Sequence, residues 1–168
     1  MTVTASITAR INASVASPIL TAQGTGPAID VIGTTLIAPG TGVGQADLMY
    51  SDTRTLAASA SENIDLAGAL TDVLGRTLNL AKIKAIMIRA SAANTNDVVI
   101  GGAATNAFVG PFGAATHTLA VRPGGEFLIA HPGTGWAVVA ATGDLLKIAN
   151  GGAGTAVTYD IIIIGTSV

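Results

Sequence analysis

The chain has 168 residues, of which 49% are apolar and only 11% charged, with a formal net charge of −2. Soluble domains average about 25% charged residues, and so small a net charge removes the electrostatic case for binding nucleic acid or an acidic membrane surface. Cysteine is absent, which excludes disulfide staples and thiolate metal sites, and no basic segment leading into an apolar run suggests a signal peptide.

The mean hydropathy is high, at +0.60. A spanning helix needs about 20 apolar residues, and the longest strongly apolar run is Ile161 to Ile164. A membrane β-barrel wants aromatic girdles, and the chain has one Trp, two Tyr and three Phe. No membrane partner is therefore expected. The apolar surplus points instead to contact with other protein.

The opening stretch, MTVTASITARINASVAS, alternates strictly. Val3, Ala5, Ile7, Ala9, Ile11, Ala13 and Val15 are apolar, and the residues between them are polar. This period of two is that of a strand with one dry face, and it outlasts the usual strand of about 5–6 residues. The expectation is a docking strand. Its backbone adds to a sheet edge on a neighbouring chain, and Val3, Ile7, Ile11 and Val15 turn into the contact. The alternative is that the strand pairs inside its own domain.

The next stretch, SPILTAQGTGPAIDVIGTTLIAPGTGVGQ, holds Pro18, Pro27 and Pro39 and many glycines. It reads as short extended pieces without the apolar content for a core. Residues 1–45 are thus expected to form an extended N-terminal arm, and residues 46–168 a β-sandwich domain.

Beyond residue 46 the chain reads as strands separated by turn chemistry. ADLMYSDTRTLAAS begins with alternation, and SENIDLAGALTDVLG has the only helical flavour, limited by Gly68 and Gly75 to a turn or two. RTLNLAKIKAIMIRAS reads as one strong strand, apolar on both faces at its centre. AANTN followed by DVVIGG reads as a hairpin return. HTLAV closes on RPGG, a turn in which Pro123 and Gly124 suit their positions. EFLIA, WAVVAA, LLKIAN and TAVTYDIIIIGTSV follow. Turn signals every 8–12 residues indicate an all-β sandwich or barrel.

Chemistry-bearing motifs are few. GTGPAI and GTGVGQ lack the third glycine and following helix of a dinucleotide loop, and read as turns. His117 and His131 sit at strand ends, the ten acids are scattered singly, and no pair stands at a spacing for acid–base work. Trp136 at a strand start is a core anchor more often than a sugar platform. No enzymatic activity, catalytic residue, metal site or cofactor is expected.

Four stretches, LAKIKAIMI, TNDVVIGGAATNAF, VRPGGEFLIAHP and GDLLKIANGGAGTAVTYDIIIIGTS, carry a resemblance. The block from Ile64 to Val168 resembles a family of small structural proteins of tailed bacteriophages. The resemblance implies an all-β, antiparallel, jelly-roll-like β-sandwich on the virion, on the capsid exterior or in the tail. It also implies synthesis in the host bacterial cytoplasm. The partners it implies are major capsid or tail proteins and further copies of the chain, as a homo-oligomer such as a trimer. A capsid decoration or cement protein is the leading expectation. A tail, baseplate or fibre component, with or without receptor binding, is the second, and a small carbohydrate-binding or enzymatic β-domain the third.

Overall fold

The computed structural model describes residues 3–13 and 29–168, and these contain strands and turns but no helix. The first two strands, β1 (Ala5–Ala13) and β2 (Ile29–Pro39), pair antiparallel along nine residue pairs. A short β3 (Gln45–Ala46) adds to β2 in parallel. The remaining strands form two main antiparallel sheets.

The first main sheet runs in the order β11 (Glu126–Ala130), β8 (Lys82–Ala90), β14 (Val157–Thr166), β4 (Leu48–Leu56), with β12 (Trp136–Ala137) pairing onto the end of β8. The second runs β10 (Thr118–Val121), β9 (Val98–Gly101), β13 (Leu145–Asn150), β5 (Ser61–Asp65). A separate two-stranded ribbon joins β6 (Ala67–Thr71) to β7 (Thr77–Asn79).

Alternation decides what lies between the two sheets. Ile86 and Ile88 of β8 and Ile161 and Ile163 of β14 face inward from the first sheet. Ile64 of β5, Ile100 of β9, and Leu146 and Ile148 of β13 meet them from the second. All belong to one buried cluster, so the two sheets close on a shared core as in a sandwich.

The outer face of the first sheet is ordered in rows by its register. Met49, Ile164, Ala85 and Ala130 form one row; Ser51, Ile162, Met87 and Leu128 the next; Thr53, Asp160, Arg89 and Glu126 a third. The first two rows are mostly apolar and the third is charged. The root of the β1–β2 hairpin covers the first row: Val3 and Ile37 are buried there with Ala46, Ala85 and Ile164, and Ala5 and Ile7 pack on them. This explains why IKAIMI and DIIII are apolar on both faces.

Several readings of the sequence change. SENIDLAGALTDVLG forms two strands and no helical turn, because Ile64, Leu66 and Leu70 bury themselves in the core at strand spacing. RTLNLAKIKAIMIRAS is split into β7 and β8 at Leu80–Ala81. VVIG does not return alongside β8: β9 crosses to the opposite sheet, with β13 and β10 as neighbours. WAVVAA keeps only two strand residues. IDVIGTTLIAP is a single eleven-residue strand, since Pro39 ends it rather than interrupting it. The backbone partner of the opening strand is therefore its own chain, although the outer edge of β1 remains without a strand among the described residues.

A candidate interaction surface

The dry face of the hairpin carries Ala5, Ile7, Ala9, Ile11 and Ala13 against Ile37, Thr35, Gly33, Val31 and Ile29. Its near half is seated on the sheet, while its far half is exposed, with none of the described residues packed on it: Ile11 is 69% exposed, Val31 62% and Ile29 57%. Ile32 and Leu36 are also exposed, on the opposite face. That face is otherwise polar, with Thr8 and Thr34 hydroxyls 3.3 Å apart and Arg10 gripping both carboxylate oxygens of Asp30 at 2.9 and 2.8 Å. The ion pair is exposed and contributes at most about 1 kcal/mol, but it sets register and leaves the hairpin with no net charge.

Of the four residues expected to dock, Val3 is covered by its own chain, Ile7 is half-buried in the same contact, and Ile11 is open to solvent. Val15 lies outside the described residues.

The root of the hairpin is fastened by a residue that pattern reading overlooks. The pairing of β8 with β14 slips between Ile164 and Gly165, leaving Lys84 as the extra residue of a bulge. A bulge re-aims its side chain. The Lys84 ammonium, fully buried, donates to the carbonyl of Gly133 and, at 3.4 Å, to that of Gly42 in the loop after β2. Gly44 N donates to Pro132 O at 2.9 Å beside it. Burial pulls the ammonium below its ordinary pKa, and the nearby Lys82 charge adds to the effect.

A polar cluster ties the two main sheets at one edge. Arg54 on β4 donates Nε to Glu62 Oε2 on β5 at 2.8 Å, and its Nη2 grips the same oxygen. Tyr159 Oη on β14 donates to Glu62 Oε1 at 2.7 Å. Tyr50 Oη donates to Asp52 Oδ2 at 3.0 Å and accepts from Arg54 Nη1 at 3.1 Å. Each carboxylate is matched by donors, so the cluster serves as a clamp between sheets.

Burial raises the pKa of Tyr159, with its hydrogen bond to Glu62 adding to the rise, and burial also raises that of Tyr50. These are the two tyrosines of the chain. A raised folded-state pKa stabilises the protein below the ordinary phenol value of about 10 and is lost as the pH climbs past it. Alkaline titration followed by phenolate absorbance should therefore show ionisation delayed beyond that of free tyrosine and coincident with unfolding. Ionisation at the ordinary value in the folded protein would refute the clamp.

The remaining sequence candidates stay apart. His117 Nδ1 is 2.7 Å from Phe112 O, and His131 Nδ1 accepts from Gly135 N at 2.9 Å. The ring of Trp136 lies 5.7 Å from that of His131, half-buried against the core. Among the described residues no three His, Cys, Asp or Glu side chains come together as metal ligands. The hairpin is thus the feature that the geometry singles out. No protein-family model matches the chain, and no curated protein matches it.

Proposed function

We propose that this chain is a structural protein of a tailed-bacteriophage virion, a capsid decoration protein built as a jelly roll that docks through its N-terminal β-hairpin. The observation that carries the reading is the hairpin itself. It is rooted by Val3, Ile37 and Lys84, and it offers Ile11, Ile29 and Val31 to solvent beyond that root. A rooted ribbon of no net charge, with apolar residues at its far end, suits attachment to a protein surface, since little ordering entropy remains to be lost on docking.

The strand orders support the jelly roll. Counting β4, β5, β8, β9, β10, β11, β13 and β14 as first to eighth, one sheet runs sixth–third–eighth–first and the other fifth–fourth–seventh–second. Two interlocked Greek keys give that order, and eight-stranded sheets of this kind recur in viral capsid domains. The resemblance of Ile64 to Val168 to phage structural proteins points the same way.

The test is stoichiometry in purified particles, by quantitative mass spectrometry. A decoration protein should be present in numbers comparable with the major capsid protein. Copies in proportion to tail proteins would move it to the tail, and absence from particles would overturn the virion reading.

A further inference from the structure

The outer edge of β1 is open along its nine residues, with no strand beside it among the described residues. Open edges are ordinarily guarded by lysine, proline or a bulge. β1 has none of these. Its sequence, ASITARINA, lacks lysine, proline and glycine, and its pairing with β2 runs through consecutive partners without a shift. Its one charge, Arg10, is turned toward β2 and held there by Asp30.

The same residues read alike in both directions. About Ala9, Ala5 mirrors Ala13, Ser6 mirrors Asn12, Ile7 mirrors Ile11 and Thr8 mirrors Arg10. Antiparallel pairing of β1 with β1 of a second copy, on a two-fold axis through Ala9, therefore sets alanine against alanine, isoleucine against isoleucine and polar against polar. Directly opposite residues share a face, so the dry faces of the two hairpins become continuous. Like charges do not stand opposite, because Arg10 meets Thr8. A two-fold interface requires this kind of self-complementarity.

The outer face of the first sheet supplies a second reason. An apolar cleft of about 240 Å3 lies between β1 and that face, walled by Met87, Leu128 and Ile162 and, from the hairpin, by Ser6, Ile7 and Thr8. These hairpin residues all belong to β1, so the cleft lies on the side of the open edge. In the two-fold pairing, Ile11 of the second copy stands opposite Ile7, with Cβ atoms about 5 Å apart, and its side chain enters the cleft. Ile11, 69% exposed in the single chain, and the cleft thus cover each other, once in each copy.

We propose that two copies of the chain pair through the open edges of β1, joining their hairpins into a four-stranded ribbon. The pairing uses Ile11 and leaves Ile29 and Val31 on β2 for docking to another protein. It does not rest on the virion reading, because it concerns self-association of the isolated chain.

The chain lacks cysteine, which makes the register measurable. Ala9 meets itself across the axis with Cα atoms about 4.5–5.5 Å apart, within the span of a disulfide. Mild oxidation of Ala9→Cys should link two chains. Ser6→Cys and Asn12→Cys, both at exposed positions, should each stay unlinked alone and cross-link when mixed and re-equilibrated, because residue 6 of one copy faces residue 12 of the other. Sedimentation equilibrium of the unaltered chain should show a dimer. Ala9→Lys opposes two ammonium groups on the axis, and should be monomeric with an unchanged circular dichroism spectrum. A monomeric unaltered chain would leave the edge to another protein and overturn the proposal. So would a dimer that Ala9→Lys fails to split, Ala9→Cys that does not link, or Ser6→Cys or Asn12→Cys alone linking as readily as their mixture.

Discussion

Ile163→Ala should lower the free energy of unfolding by about 2–5 kcal/mol, whereas Ile162→Ala, one residue away, should cost about 1 kcal/mol. Ile163 is fully buried in the cluster shared by the two main sheets. Removing its methyl and methylene groups leaves a cavity walled by strands on both sides, and such walls collapse poorly. Ile162 points the other way, into the half-open cleft under the hairpin root. Its truncation enlarges a space that solvent and Met87 can fill. Urea denaturation with an unchanged slope measures both. Equal losses would mean that the outer face is as tightly covered as the inner one.

That contrast also marks how far the sequence can be read. DIIIIG carries apolar side chains on both faces, and alternation alone shows that both are covered without showing by what. The inner cover is the second sheet, the usual partner of a sandwich strand. The outer cover is the hairpin, whose second strand is obscured in the sequence by prolines, glycines and a mixed pattern. Ile32 and Leu36 interrupt the alternation of β2, so no period announces it. The opening strand is legible because its own alternation is unbroken.

The ribbon turn is misread for a related reason. DVLG places Asp and Gly where an Asp-braced turn needs them, but Leu66, Ala69, Leu70 and Val73 around it mimic helical spacing. Lys84 is invisible for a third reason. A bulge depends on the register between two strands distant in sequence, and no local pattern encodes it. The Arg54–Glu62–Tyr159 clamp likewise joins three strands that only the fold brings together.

The hairpin should separate into a root that stabilises and a tip that binds. Ile37→Asp would put an unpaired charge among Val3, Ala46, Ala85 and Ile164. Burial of that kind ranks with the most damaging single changes, at about 4 kcal/mol or more. Because this cluster is distinct from the main core, the loss should appear as release of the hairpin. Protease should cut between Pro39 and Gln45 while the sandwich stays folded.

The tip calls for a gentler change. Ile11 and Val31 are directly opposite on the dry face, so Ile11→Glu with Val31→Lys replaces an apolar cross-strand pair with an opposite-charge one and preserves register. The melting midpoint should stay put. Docking onto particles should nevertheless weaken by at least about 100-fold, since two side chains worth about 1.5–3 kcal/mol each would no longer be buried. A shift of the strand by one residue cannot restore contact, because it would bring Thr8, Arg10 and Asn12 to the dry surface. The circular dichroism spectrum of this variant should match that of the unaltered protein, which distinguishes loss of docking from general damage. Unaltered particle binding would show that the exposed strip of Ile11, Ile29 and Val31 is not the contact.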